Sequence, residues 1–360
     1  MKKLLYLLLL LPFLSAAQQD FSKVDAWIDD NARDMGGRVV LVVYKGTKTV
    51  YSYSVNDMSR RQKVGTKVIA RRKGADANLD KFTTTTRQPI ASCSKWLSAA
   101  LVMTFVDEGT LKLTDTVGTY LPILSKNGKG NITISQCLSH TTGIDTPDLK
   151  EGLKEMKTYN SMDDAIAAIA ALPMEGKPGT IFHYGNAGLQ IAGAVLEKIS
   201  GKSFEQLFAE RIAQPLNMKD TDFGKGKVPL PAGGAFSTAE DYLNFTVMIL
   251  RTGMFNGRRI LSEKSVAEMQ VNRITPDVKV AHSPAEAPGT GYGYGEWIFT
   301  DVNGQPNGTV SSPGLFGSFP WVENSKGYSA VLFAVNLKHK GRQKKYAELK
   351  KLVDGALEKI

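Results

Sequence analysis

Ser92 and Lys95 are the residues of this chain whose types and spacing point most directly to chemistry. They lie three positions apart at the start of a long apolar segment. Side chains three apart on a helix share one face, so an amine would lie within reach of a hydroxyl that is a weak nucleophile alone. Residues 96–106 are apolar almost throughout, which predicts a buried helix that ends at Gly109. Because unpaired buried polar groups are costly, the pair indicates a nucleophile and its activating amine.

Tyr184 and Asn186 form a second candidate pair, in a predicted loop that leads into a helix. A tyrosine hydroxyl can act as a base where neighbouring cations lower its pKa. Asn186 adds a neutral donor and acceptor. Taken alone, the spacing is also that of a packed tyrosine followed by a helix cap.

A third candidate segment, Ser312-Pro313-Gly314, precedes Leu315 and a predicted strand. Glycine here would let a substrate approach the backbone and would leave N–H groups available to an oxyanion. Trp297, with Phe316 and Trp321, is either part of an apolar acyl pocket or simply core.

The remaining chemistry-bearing residues indicate neither a metal nor any other cofactor. Two cysteines and four scattered histidines show no metal-ligand spacing. Cys93 and Cys137 both fall in predicted apolar helices, and we expect two free thiols rather than a disulfide. No Gly-x-Ser-x-Gly elbow occurs, which disfavours a Ser-His-Asp hydrolase. We expect His140 to anchor its turn by hydrogen bonds, and His183 to be structural or to border the site.

Around these motifs, strands are predicted at both ends of the chain and helices in the middle. The predicted strands are Arg38–Tyr44, Thr49–Val55, Tyr292–Thr300, Gly317–Val322 and Tyr328–Val335. The predicted helices are 24–34, the one after Ser92, a short one after Thr133, 162–171, 187–199, one after Ser203, one after Ser237, 263–270 and 343–360. Residues 56–86 are predicted to be a polar loop, and 272–295 a loop bordering the site.

This order predicts an α+β fold in which an antiparallel sheet from the N- and C-terminal strands is flanked by helices and carries an inserted, mainly helical lobe. We expect one catalytic domain over residues 18–360. Its α/β body would span about 20–90 and 290–360, and its helical lobe about 110–270. The active cleft would lie between the two.

The N-terminus predicts export. Two lysines, an apolar run over 4–14 and a small-residue site ending at Ala17 indicate a signal peptide over residues 1–17. We expect a periplasmic or secreted protein without stable membrane insertion. The net charge of +10 lies largely in 60–73 and 338–351, without interleaved aromatics. A solvated basic face is therefore expected rather than a nucleic-acid site, and the expected partner is a small-molecule or peptide substrate. The oligomeric state is left open.

Together the motifs resemble those of the serine β-lactamase and penicillin-binding-protein superfamily, most closely the class C β-lactamase-like hydrolases. The segments that carry the resemblance are 90–95, 138–144, 182–188, 232–241 and 291–295. The resemblance implies that Ser92 is the acylated nucleophile, that Lys95 takes or relays its proton and that Tyr184 is a base. It further implies that Asn186 orients substrate and lysine, and that the N–H groups of Ser92 and Leu315 form the oxyanion hole. The resemblance does not decide whether Lys95 is neutral or cationic.

The third segment departs from the family pattern, which often carries Lys-Thr-Gly or a histidine there. Ser312 and Gly314 bracket a proline, and the triplet holds no cation. We therefore expect a neutral ester, amide or D-peptide-type substrate. A penicillin-binding DD-carboxypeptidase or β-lactamase is the first alternative, with an arginine from 60–72 as the missing charge. A catalytically weak envelope binding protein is the second.

Overall fold

The computed structural model of the chain describes residues 19–72, 77, 79, 81–147, 158–224, 226–284, 287, 291–301, 303–336 and 341–358. The predicted signal peptide lies outside these residues. No described helix is long and apolar enough to cross a membrane.

Strands from both ends of the chain share one seven-stranded antiparallel sheet, ordered β2-β1-β13-β12-β11-β10-β9. The strands are β1 (Arg38–Lys45), β2 (Lys48–Asn56), β3 (Gln88–Pro89), β4 (Ile181–His183), β5 (Phe236–Ser237), β6 (Met254–Phe255), β7 (Arg258–Arg259), β8 (Lys279–His282), β9 (Gly291–Tyr292), β10 (Trp297–Thr300), β11 (Pro306–Ser311), β12 (Phe319–Glu323) and β13 (Tyr328–Ala334). The central β1–β13 pair places Val39 opposite Ala334. The predicted sheet is therefore confirmed.

Helices lie before, between and after the two sets of sheet strands, and they cover both faces of the sheet. They are α1 (Ser22–Asn31), α2 (Arg60–Arg72), α3 (Ser94–Asp107), α4 (Pro122–Lys126), α5 (Ile134–Leu138), α6 (Met162–Ala171), α7 (Ala187–Ser200), α8 (Phe204–Phe208), α9 (Ala239–Leu250), α10 (Glu263–Met269) and α11 (Arg342–Leu357). A 3-10 turn over Ala91–Cys93 precedes α3, and a π turn over Ala209–Ala213 follows α8.

The alternation along β1 shows why the sheet is covered on both faces. Val39, Leu41 and Val43 pack with α1 and α11, whereas Val40 and Val42 face the core that contains α3 and α9. Successive side chains of a strand point to opposite faces, so a continuous apolar strand requires a layer on each side. The second layer holds α3 against the sheet and fixes the start of that helix.

Helix α3 is buried from Ser94 to Phe105, as predicted, but it begins two residues later than expected. Ser92 lies in the preceding 3-10 turn instead. The predicted glycine stop is present, because Asp107 is the last helical residue and Gly109 has φ +73°. Both cysteines are free and buried, as expected.

Two segments differ from the prediction because their composition hides their structure. Residues 56–86 are not a continuous loop, since α2 spans Arg60–Arg72. Its first turns are dense in Arg and Lys and lack a buried apolar stripe, so the helical period is invisible. Strand β11 was not predicted, because Pro306, Asn307 and Gly308 are typical turn residues.

Two boundaries were also wrong. The predicted strand 292–300 is broken between β9 and β10, where Gly295 has φ +78° and a Cβ on Gly293 would lie 1.9 Å from the Met269 carbonyl oxygen. The cap of α9 is Thr238 rather than Ser237, since the Thr238 side chain accepts from the Asp241 N–H. The division into body and lobe remains a prediction.

Candidate active site

Ser92 lies on a strained turn between β3 and α3. The preceding Ala91 has φ +47°, a left-handed conformation that is unfavourable for an alanine and persists only where the surroundings enforce it. Two contacts hold the turn: the Tyr242 hydroxyl donates to the Cys93 carbonyl (2.8 Å), and Ser94 Oγ accepts from the Ala235 N–H (3.0 Å). Ser92 itself is only half-buried, so its hydroxyl group stays within reach of a ligand.

Lys95 is the buried cation of the site, with a residue exposure of 1%. Its Nζ donates to Ser92 Oγ (3.3 Å), to Asn186 Oδ1 (3.5 Å) and to the Ala232 carbonyl oxygen (2.7 Å). Burial disfavours the ammonium form and lowers the pKa of Lys95 to about 7. A large fraction of the amine is therefore neutral near neutral pH and can accept a proton.

Tyr184 and Asn186 reach the same place from the segment between β4 and α7. The Lys95 Nζ lies 4.8 Å from the centroid of the Tyr184 ring, which stacks on Trp297 at 5.4 Å. Asn186 precedes α7 but makes no side-chain cap bond; its Oδ1 accepts from Lys95 instead. Asn186 is therefore the N-cap residue of α7 by position, as predicted, but its side chain bonds Lys95 and not the helix backbone.

The third segment packs against the turn that carries Ser92. A Cβ added to Gly314 would lie 2.3 Å from the Ile90 carbonyl oxygen, so only glycine allows this approach. Ser312 does not line the cavity: its hydroxyl donates to the Gly295 carbonyl (2.9 Å) and the Ser92 carbonyl (3.2 Å). This differs from its predicted substrate-binding role. The Gly314 N–H donates to Ser318 (2.8 Å), whereas the Leu315 N–H has no acceptor within the described ranges.

Arg342, the first residue of α11, is a cavity-lining residue that sequence reasoning missed. Its Nη1 donates to the Leu315 carbonyl (2.9 Å) and its Nη2 to the Asn336 carbonyl (2.7 Å). Of the arginines of α2, those whose side chains the structure describes, Arg60, Arg61 and Arg71, do not line the cavity. Arg342 lies in the basic run 338–351, which was expected to be a solvated face, yet its side chain is buried and lines the cavity, so no local pattern marked it.

A cavity of about 390 Å³ opens beside these groups and is lined mainly by apolar side chains. Ala168, Ile169 and Leu172 form one wall, at and just after the end of α6, and Pro284 and Ala287 come from the segment after β8. The predicted loop 272–295 thus borders the site, although it also contains β8. Trp297 lines the cavity as one prediction had it. Trp321 packs in the core beside α11, and Phe316 is not part of the lining.

His140 and His183 both form hydrogen bonds with other protein groups. His140 Nε2 contacts the Tyr292 hydroxyl (3.2 Å) and its carbonyl accepts from the His183 N–H (2.9 Å), which agrees with an anchoring role. Burial lowers the pKa of His140 well below its usual value. His183 Nδ1 bonds Glu175 (2.7 Å), and these two residues with Asp145 are spaced so that they could hold a metal ion, with ligand atoms within 4.8 Å of one another.

The geometry agrees with comparison to known proteins. The family model described as Beta-lactamase matches residues 24–353, so the chain belongs to the beta-lactamase family and shares the fold of its hydrolases. Protein Rv1367c of Mycobacterium tuberculosis is 28% identical over 288 residues, covering 64% of this chain and 71% of that protein.

Two solved structures show the same fold. A candidate beta-lactamase from Bacteroides dorei superposes with a TM-score of 0.77 at 28% identity, over 94% of this chain and 99% of the other. EstCE1, described as a hydrolase with promiscuous acyltransferase activity, superposes with a TM-score of 0.74 at 21% identity, over 94% of this chain and 100% of the other. Both confirm the β-lactamase/transpeptidase-like fold.

Proposed function

We propose that this chain is a serine hydrolase that cleaves a neutral ester, amide or D-peptide-type substrate through an acyl-enzyme on Ser92. The observation that carries the proposal is the contact between Ser92 Oγ and Lys95 Nζ at 3.3 Å, with burial lowering the pKa of Lys95 to about 7. A neutral amine next to a hydroxyl is what a serine needs to become a nucleophile near neutral pH.

The reaction would run in two halves. Ser92 Oγ attacks the substrate carbonyl carbon while its proton passes to neutral Lys95, with Tyr184 next to the amine as a second proton carrier. The carbonyl π electrons move to oxygen, and the N–H groups of Ser92 and Leu315 stabilise the resulting oxyanion. The carbonyl re-forms, the bond to the leaving alcohol or amine breaks, and the leaving group takes the proton from Lys95, which leaves an acyl-serine and a neutral amine. A water molecule then gives a proton to Lys95 and attacks the acyl carbon. The bond between the acyl carbon and Ser92 Oγ breaks, Oγ takes the proton back from Lys95, and the acid is released.

The apolar cavity supports a neutral substrate. Arg342 brings the only permanent cation of the described lining, and Lys95, with a pKa of about 7, is half-neutral near pH 7. Both Nη atoms of Arg342 already donate to carbonyls of the protein. A substrate carboxylate would therefore compete with these bonds for the guanidinium, which disfavours the DD-carboxypeptidase and β-lactamase alternatives.

A fluorescent fluorophosphonate and a short-chain 4-nitrophenyl ester test the proposal. We expect stoichiometric labelling of wild type and hydrolysis of the ester, and loss of both in Ser92→Ala. Ser98→Ala is the matched control, because Ser98 is a buried serine of the same helix whose hydroxyl donates to the Pro231 carbonyl (2.7 Å). Labelling without turnover would instead favour the envelope binding protein, and hydrolysis that persists in Ser92→Ala would refute the nucleophile.

Export is part of the same proposal. The lysines, apolar run and small-residue site at the N-terminus support cleavage after Ala17. N-terminal sequencing of the protein recovered outside the cytoplasm tests this, with Gln18 expected as the first residue. A product that retains Met1 in the cytoplasmic fraction would contradict it.

A further inference from the structure

The loop between β11 and β12, residues 312–318, is built so that one backbone donor can face a ligand. Gly314 lies against Ile90, and its own N–H is occupied by Ser318. The next N–H, that of Leu315, is free of partners among the described residues. A donor of this kind is useful only if its orientation is fixed before the reaction. The loop carries two glycines, so something outside it must supply the rigidity.

Arg342 supplies a contact of the required kind. It is 5% exposed, and its guanidinium donates to the carbonyl of Leu315 and to that of Asn336. The Asn336 N–H in turn donates to the Phe316 carbonyl at 2.7 Å. Because the guanidinium is planar and its donors are fixed relative to one another, it sets the distance between two chain segments. The loop is thus tied to the end of β13 and to the first turn of α11.

We propose that Arg342 is a positioning residue for acyl transfer, which holds the Leu315 N–H in place for the oxyanion and brings a positive charge to that wall of the cavity. The proposal rests on the proposed function. It assigns to the C-terminal helix a role in the transition state that no motif of the sequence marks. Since the contact acts on the oxyanion and not on the bound neutral substrate, its loss would lower kcat and leave KM almost unchanged.

The test compares Arg342→Met and Arg342→Lys with wild type on a neutral 4-nitrophenyl ester. We expect kcat to fall by about 10- to 100-fold in Arg342→Met, short of the loss of a whole oxyanion donor, with KM within about three-fold of wild type. Arg342→Lys keeps the positive charge but loses the two fixed donors of the guanidinium, so its kcat should lie between those of wild type and Arg342→Met. The rate of labelling by the fluorophosphonate should drop in the same order.

Arg38→Met is the matched control, since Arg38 is another buried arginine but does not line the cavity. It should lower the melting temperature and leave kcat unchanged. Wild-type kcat in Arg342→Met, or a loss confined to KM, would overturn the positioning role while the proposed function stands. Absence of Ser92-dependent turnover in wild type would overturn both. If Arg342→Met does not fold, Arg342→Lys alone decides the matter by the same kcat criterion.

Discussion

Two regions of this protein each bury an ionisable side chain, and the hydrogen bonds available to that side chain differ between them. At the start of α3, Lys95 has three acceptors around its amine. In the turn between β9 and β10, Glu296 is fully buried, and neither carboxylate oxygen has a hydrogen-bond partner within the described parts of the chain. Burial lowers the pKa of Lys95 and raises the pKa of Glu296 well above its usual value.

The difference shows what makes a buried charge useful. Both groups are pushed towards their neutral forms by the same desolvation. Only Lys95 sits next to a hydroxyl that can give it a proton and opposite a ligand-sized cavity. Among the residues that the structure describes, no hydroxyl bonds the Glu296 carboxylate, and its burial is a cost to stability. Perturbed titration therefore indicates a candidate site only together with contacts.

The largest expected effect separates Lys95 from an ordinary buried lysine. Replacing Lys95 by methionine should lower kcat by about 10²- to 10⁴-fold, because the base for Ser92 is lost. Lys129 offers a matched control: it is 4% exposed, donates to the Ala170 carbonyl at 2.8 Å and does not itself line the cavity. Steady-state hydrolysis of the ester by Lys129→Met should match wild type. Equal losses of kcat in the two variants would mean that removing any buried lysine has this effect, and that Lys95 is not the base.

The pH dependence of kcat/KM decides the protonation state of Lys95. If the neutral amine is the base, activity falls as pH drops below the lowered pKa of about 7. A cationic Lys95 acting on a Tyr184 phenolate would instead lose activity as pH rises through the same range. Measurements of kcat/KM for the ester from pH 5 to 9, with its spontaneous hydrolysis subtracted, distinguish a loss of activity at low pH from a loss at high pH. We expect kcat/KM to fall at low pH.

A smaller effect concerns stability, and the two residues should give opposite trends. The raised pKa of Glu296 means that the folded state binds more protons, so its destabilising effect grows as pH rises above about 4.5. Glu296→Gln should therefore stabilise the protein by about 1–3 kcal/mol near pH 8 and little at pH 4. The lowered pKa of Lys95 has the opposite sign, so the gain in Lys95→Met should shrink between pH 7 and 10.5.

Thermal melts of both variants and wild type across this pH range measure the trends. A stabilisation by Glu296→Gln that does not depend on pH would mean that the carboxyl group finds a partner, such as an ordered water. If the stability gains of Glu296→Gln and Lys95→Met change in the same direction with pH, the two side chains do not have opposite pKa shifts.

Much of the fold was predictable because local sequence carried it. The capping boxes at Thr133, Ser161 and Ser203 each start a helix where predicted, with side chain and backbone bonded reciprocally. The prediction of element type failed where no apolar stripe marks a buried face, as in the basic helix α2. They also failed where turn residues begin a strand, as in β11.

The candidate site divides in the same way. Ser92 and Lys95 are neighbours by spacing alone, whereas Tyr184, Asn186 and Leu315 were candidates from their local pattern and received their roles from the resemblance. Ser312 was placed in the right segment, but its hydroxyl bonds backbone carbonyls and does not line the cavity. The orientation of a serine side chain depends on which acceptors lie nearby, and those acceptors come from elsewhere in the chain.

By itself the sequence determined the helix that carries Ser92 and Lys95, the antiparallel pairing of its two ends and the family to which it belongs. Periodicity and helix caps depend on residues close together in the sequence, so they can be read without the tertiary structure. Only the tertiary structure decided that the Ala232 carbonyl faces the lysine, that Gly314 lies against Ile90 and that Arg342 holds Leu315. Each of these contacts joins segments far apart in the chain, where no local pattern can specify a distance of a few ångströms.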